Sequence, residues 1–318
     1  MNVNNILNKR NSVIFLSVAF ILATILLVGN NRGLESQENI HYKLVDDKGI
    51  NRMFIKTNQS KVTFYLKIIP NITKKTPALF TIFMNGRQVK CLWDGANEHA
   101  EVFFTKITPK KDKEIKITID NIPKGLNTLQ FGTLYFPNQT NFIEDDLYNE
   151  KYSLDLTPFT IVRDEDINWS EKATFINNKQ PSLNKKMPIG KRGELSASKD
   201  DLYLDLISSI SQNSKKYYFW QNIDKKVKRV RFSLLINWKQ VPWPSGDKFI
   251  DVSLNPGDVF LKEIMLSDIV KNKTDQLSVV AFINPDVSFW YWDKNNDLKA
   301  TDDGAQAYAT LRNIINSN

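Results

Sequence analysis

The sequence predicts an all-β chain: two related antiparallel β-sandwich domains in tandem, behind an N-terminal transmembrane helix and ahead of a short C-terminal helix. Three observations predict it. First, the chain repeats itself. Phe80–Val89 (FTIFMNGRQV) returns as Phe232–Val241 (FSLLINWKQV), each an apolar strand that reaches an Asn and leaves through a basic residue, Gln and Val. NITKK at Asn71–Lys75 returns as NIDKK at Asn222–Lys226, and LQFGTLYFP at Leu129–Pro137 returns as LSVVAFINP at Leu277–Pro285. Three blocks in one order at nearly one spacing mark a duplicated unit. Second, apolar residues alternate with polar ones over short runs between turn signals, the period of a half-buried strand. Third, Val13–Gly29 carries no charge.

Composition bounds the reading. A chain of 318 residues holds two domains of ordinary size. Its hydrophobic fraction of 42% and charged fraction of 25% belong to folded rather than disordered protein. The net charge of +8 is scattered along the chain, which argues against a nucleic-acid partner. Cys91 is the single cysteine, so no intrachain disulfide is possible and the domains rest on their cores. That usage points away from disulfide-stapled extracellular modules. A catalytic thiol needs a neighbouring base, and only His41 and His99 exist to supply one; beside Leu92 and Trp93, Cys91 reads as a small apolar core residue.

In chain order, residues 1–12 read as a cytoplasmic N-terminus ending near the Lys9-Arg10 pair, and residues 13–29 as a transmembrane signal-anchor. As a helix rising about 1.5 Å per residue, that span covers roughly 25 Å, enough to cross a bilayer. Lys9 and Arg10 hold the N-terminus inside, which places everything after Gly29 outside. No small-x-small cleavage site follows Gly29, so an uncleaved anchor is favoured over secretion after signal cleavage.

Residues 30–44 read as a polar stalk, residues 45–165 as the first sandwich, 166–200 as a linker and 201–318 as the second sandwich with its closing helix. In the first sandwich Val62, Phe64, Leu66 and Ile68 alternate with polar neighbours, as do Phe80, Ile82 and Met84, and Asn85-Gly86 supplies a two-residue hairpin turn. Val102–Ile107, Ile115–Ile119, Leu129–Phe136 and Tyr152–Val162 complete about seven strands, an Ig-like count with turn signals at Pro109, Pro123 and Pro137. The second copy gives Tyr203–Leu206, Tyr217–Gln221, Val230–Ile236, Phe249–Leu254, Phe260–Leu266 and Leu277–Ile283 in the same order. Ala307, Leu311, Ile314 and Ile315 then fit helical spacing behind Asp302-Asp303-Gly304, so Ala305–Ile315 is expected as a helix.

The candidate binding residues are aromatic. Gly86 of the first hairpin becomes Trp238 in the second, followed by Val241-Pro242-Trp243-Pro244. Trp238 and Trp243 are either an exposed tip for a sugar ring or protein partner, or indoles folded over the sandwich edge. Trp290 and Trp292, on one face of the run Phe289–Trp292, are the second choice. Asp293-Lys294-Asn295-Asn296-Asp297 opens like a calcium loop, but Leu298 and Gly304 stand where Gly and Glu are required, so no metal is expected. Glu144, Asp145 and Asp146 read as a solvated acidic loop rather than a glycosidase pair. No phosphate loop, HExxH or G-x-S-x-G is present, so neither catalysis nor a cofactor is expected.

The functional expectation is a single-pass membrane protein that displays both domains outside the cell and binds or scaffolds at the envelope without catalysis. Its expected partners are an envelope protein or polysaccharide, with the membrane engaged through residues 13–29. The alternative is a carbohydrate-binding module or accessory subunit of a polysaccharide-acting system, with a hydrolase of unrecognised type third.

Overall fold

The computed structural model describes residues 39–50, 53–138, 154–164, 193–196, 207–209, 215–269, 272, 275–292, 295, 297–301, 303–310 and 313–316. The anchor at residues 13–29, the acidic loop at Glu144–Asp146 and most of the linker lie outside these residues. Among the described residues, no helix is long and apolar enough to cross a membrane.

The first half runs β1 (Asn39–Val45), β2 (Phe54–Thr57), β3 (Val62–Asn71), β4 (Thr76–Met84), β5 (Arg87–Gln88), β6 (Cys91–Trp93), β7 (His99–Ala100), β8 (Val102–Ile107), β9 (Lys113–Ile119), β10 (Gly125–Tyr135) and β11 (Asp155–Arg163). The second runs β12 (Gly193–Ser196), β13 (Ile207–Ser209), β14 (Lys215–Gln221), β15 (Lys228–Ile236), β16 (Lys239–Val241), β17 (Ile250–Leu254) and β18 (Val259–Met265). It continues with β19 (Gln276–Ile283), β20 (Trp290–Trp292), β21 (Leu298–Ala300), β22 (Gln306–Ala309) and β23 (Asn313–Asn316).

Four sheets stack in layers. The outer sheet of the first half, β1-β3-β9-β6-β7, faces an inner sheet, β2-β11-β10-β4-β5 with β8 beside β4. Phe64, Leu66 and Ile117 of the outer sheet and Phe80, Ile82, Phe131 and Phe159 of the inner one share one buried core. In the second half β12-β14-β18 faces the sheet built on β19 and β15, with Tyr218, Trp220 and Phe260 meeting Phe232, Leu234 and Val279. The chain is therefore an all-β protein of face-packed sheets.

The strand registers of the two halves match residue for residue. β4 pairs with β10 so that Phe80 faces Thr133, and β15 pairs with β19 so that Phe232 faces Ala281, the very residues that the repeated blocks align. Leu79 faces Phe104 across β4 and β8, and Arg231 faces Asp251 across β15 and β17. A register slip of one would turn either core outward, so agreement at this level requires matched side-chain patterns.

Three expectations are corrected. The stretch expected as stalk already contains β1, whose Ile40, Tyr42 and Leu44 pack on the first core. The stretch expected as linker contains β12, whose Leu195 is buried in the second core. The expected closing helix is instead β22 and β23, with no helical turn at Ala305–Ala309. The 3.6-residue spacing of Ala307 and Leu311 yields there to the demand of β19 for an antiparallel neighbour, the place β11 fills beside β10. Thr310 interrupts the pairing, and its Oγ1 accepts the Val279 amide at 3.1 Å.

Cys91 sits inside the first core with no exposed surface. Burial, and then the Asp120 carboxylate, push its pKa up to about 12. The thiol is expected to resist thiol-reactive dyes at about pH 8 in the native protein and to react at once in guanidinium, since only the thiolate attacks. Prompt labelling of the native chain would show that this strand opens readily.

Candidate functional site

The inner sheets are buried on both faces. β10 and β19 are buried almost throughout, because their outward sides meet each other. Leu79, Phe83, Leu134 and Leu154 of the first half form a third buried cluster with Leu235, Trp238, Val280 and Phe282 of the second. Phe83 and Phe282 meet across this seam with ring centres 5.2 Å apart and planes tilted by 53°.

Some of the polar contacts across the seam come in reciprocal pairs. The Gln88 amide N–H donates to Oε1 of Gln240 at 2.8 Å, and the Gln240 amide N–H donates to Oε1 of Gln88 at 2.7 Å, between residues 152 positions apart. Gln88 Nε2 donates to the Trp238 carbonyl and to Thr81, while Ser233 Oγ donates to the Gly86 carbonyl and accepts from Gln240 Nε2. Thr128 Oγ1 donates to the Pro285 carbonyl, and Gln276 Nε2 donates to the Pro137 carbonyl. The Gln88–Gln240 contacts, and those of Thr128 with Pro285 and Gln276 with Pro137, thus exchange between the halves, as in a two-fold, isologous interface, here within one chain. Gln130 Nε2, which donates to the Ala305 carbonyl, has no such counterpart.

Both hairpins keep a turn with two left-handed residues. Asn85 and Gly86 have φ of 54° and 75°, and Asn237 and Trp238 have 49° and 67°. Asn85 Oδ1 accepts the Thr128 amide, as Asn237 Oδ1 accepts the Gln276 amide. Trp238 therefore occupies a conformation that disfavours any Cβ.

The reason is visible at the two ends of the seam, which differ. At the Gly86 end, a Cβ on that glycine would stand 2.5 Å from Cδ of Arg231, so only glycine leaves the arginine room. Arg231 holds Asp251 through Nε at 2.7 Å and Nη2 at 2.9 Å, donates to the Asn85 carbonyl at 2.6 Å, and lies 3.8 Å over the Phe249 ring. At the other end Leu79 replaces Arg231, Phe104 replaces Asp251, and Trp238 fills the space above them.

That second end is open. A cleft of about 520 Å³ is lined by Phe104, Trp238, Asn138 and Gln276, with Asn237, Asn272 and Asp275 on one wall. Asp275 is held by Nδ2 of Asn237 at 2.7 Å and by the Asn272 amide N–H at 2.9 Å. Phe104 is 53% exposed. Gln276 Oε1 is buried and has no hydrogen-bond partner among the described residues. A cavity of similar size, about 510 Å³, lies at another edge between β11 and β22, lined by apolar groups including Leu154, Pro158 and Phe289.

The structure redistributes the residues expected to bind. The exposed aromatic tip is not found: Trp238 is 4% exposed and Trp243 1%. Trp238 lies in the seam because a second half docks over the hairpin. Trp243 is core, its Nε1 donating to the Phe232 carbonyl at 3.1 Å, in the place Cys91 takes in the first half. Trp290 is half-buried, and its Nε1 spans the halves to the Pro158 carbonyl at 2.9 Å. The Trp292 side chain lies outside the described residues, as do Asp293, Lys294 and Asn296 of the calcium-like stretch. Sequence reasoning passed over Phe104, because its place beside Phe103 in an amphipathic strand marks it only as one of two faces.

No protein-family model matches the chain. No curated protein matches it. Among solved structures, the CARDB domain of a Pyrococcus furiosus protein, in complex with di-metal ions, matches at 8% identity and a TM-score of 0.25, covering 40% of this chain and 96% of that one. The CupB2 chaperone of Pseudomonas aeruginosa matches at 11% identity and a TM-score of 0.22, covering 81% of this chain and 96% of that one. The cupredoxin domain of amoB from Nitrosocaldus yellowstonii matches at 8% identity and a TM-score of 0.22, covering 43% of this chain and 94% of that one. The chain is similar to these β-domains in broad architecture alone.

Proposed function

We propose that this chain is a non-catalytic binding or scaffolding protein of the cell envelope, formed of two copies of one Ig-like sandwich domain and tethered to the membrane through residues 13–29. The observation that carries the reading is the reciprocal Gln88–Gln240 clasp beside the buried seam. A flexible pair of modules joined only by a linker would leave those faces polar. Here they are apolar, so the two modules act as one rigid body that holds its loops in fixed relation, as a display platform requires.

The tether is supported by the uncharged run Val13–Gly29 behind Lys9 and Arg10. A chain tagged at its C-terminus and expressed in bacterial protoplasts tests the reading. The tag is expected to sediment with membranes through an alkaline wash and to be removed by protease added outside. Release of the chain into the medium, or protection of the tag in intact protoplasts, would overturn it.

A second reading, carbohydrate recognition, is favoured by one feature, the cleft beside Phe104, where an exposed phenyl ring stands among side-chain amides.

A further inference from the structure

We propose that the cleft bounded by Phe104, Trp238, Asn138 and Gln276 binds a short neutral oligosaccharide. The inference deepens the carbohydrate reading and rests on the chain's being a binding protein that faces outward.

The first ground is where the halves diverge. The seam's Gln88–Gln240 and Thr128/Gln276 hydrogen bonds are kept in both directions, yet its two ends are built from different residues. Arg231 closes one end with an ion pair to Asp251 and a ring beneath it. The matching positions at the other end carry Leu79 and Phe104, which cannot close it, and the space stays open. A duplicated interface needs only one way of sealing its edges, and a seal used at one end and abandoned at the other marks the open end as put to another use.

The second ground is the chemistry of the lining. Phe104 leaves an apolar ring face in water, one of the few large apolar side chains so exposed among the described residues. Alone it is an unremarked surface residue; over a cavity of about 520 Å³, within the range of small-molecule sites, it is a platform. The C–H face of a pyranose is apolar and lies flat on such a ring, while its equatorial hydroxyls point sideways. The sides of this cleft supply side-chain amides, which both donate and accept, as a hydroxyl does. The Asn138 amide is exposed at the rim. Gln276 is nine-tenths buried with its Oε1 unmatched, an acceptor whose cost is unrelieved in the free protein.

The third ground is what the cleft lacks. Among the described residues no Lys or Arg lines it, and the Asp275 carboxylate is already engaged by Asn237 and Asn272. The described walls thus offer a phosphate, a sulfated sugar or a uronic acid no countercharge, which favours a neutral ligand. One carboxylate, already held by two amides, is too little negative charge for a resident divalent cation.

The test is calorimetric titration of the detergent-solubilised full chain with chitotriose, cellotriose and maltotriose, with trigalacturonate and trialanine as comparators. At least one neutral trisaccharide is expected to bind in the millimolar range or tighter, and Phe104→Ala to weaken it about tenfold, which is 1.4 kcal/mol. Ile223→Ala, an exposed apolar residue outside the cleft lining, is expected to leave binding unchanged. Phe104 is half in water, so its alanine variant is expected to keep the wild-type melting temperature within a few degrees, which separates lost binding from lost fold. Absence of binding by all three sugars at about 10 mM, affinity unmoved by Phe104→Ala, or tighter binding of trigalacturonate or trialanine would overturn the proposal. Failure here with the C-terminal tag still cleaved from outside would sink the cleft alone. Protection of the tag would sink the outward-facing reading whatever the sugars do.

Discussion

Trp238→Ala is expected to destabilise the chain by about 3–5 kcal/mol, the cost of emptying a large aromatic site, and Trp238→Gly by about 1 kcal/mol less. The order is the reverse of the usual one, in which glycine is the worse replacement. Both variants lose the indole that packs with Leu79, Phe83 and Phe282 in the seam. Only the glycine also releases the left-handed strain at φ 67°, since alanine keeps the Cβ that causes it. Urea unfolding of the two variants beside the parent measures the difference directly. A glycine variant less stable than the alanine one would mean that the turn at Asn237-Trp238 carries no strain.

Arg231→Met is the second large effect, about 3–5 kcal/mol, because it leaves a nearly buried carboxylate without its partner. Asp251 has 11% of its side chain exposed and receives two of the arginine's donors. Adding Asp251→Val to Arg231→Met is expected to recover more than half of the loss, since a pair replaced on both sides by apolar groups is often neutral. The recovery is incomplete because the Asn85 carbonyl also loses its donor. A double-mutant cycle by urea denaturation reads the coupling. Strict additivity of the two substitutions would show that the ion pair contributes nothing to closing this end of the seam.

Much of the strand framework was legible. The Asn85-Gly86 dipeptide between apolar runs announces the β4–β5 hairpin, and Met84 does pair with Arg87. The repeated blocks carry the register too, since Phe80 and Phe232 fall opposite Thr133 and Ala281. What stayed hidden was the second buried face of the inner sheets. Antiparallel sheets commonly bury one side, so Phe80, Ile82 and Met84 were enough to define a strand, and Leu79 and Phe83 looked like its outer side. The apolar run Val279–Ile283 was the available signal, because a strand apolar at consecutive positions is covered on both faces.

The missing face explains why the sequence left Trp238 open between an exposed tip and a buried indole. A Trp at a hairpin tip points to solvent in an isolated sandwich, and Trp238 became buried only because the other half packs there. Phe104 shows the converse. Its neighbour Phe103 stacks on Trp93 with ring centres 5.5 Å apart, and nothing in the local sequence says that Phe104 overhangs a gap between two halves far apart in the chain. The C-terminal strands were hidden for another reason. Ala305, Ala307 and Ala309 alternate with Gln306 and Tyr308, but alanine suits a helix as well, and the choice is made by the open side of β19.

The clasp of Gln88 and Gln240 also decides how the molecule bears load. Traction entering at one module reaches the other by shear across the Gln88–Gln240 hydrogen bonds and the packed Phe83 and Phe282, in parallel with the covalent connection. Load passes through the seam itself, so the two modules are expected to yield together rather than one after the other.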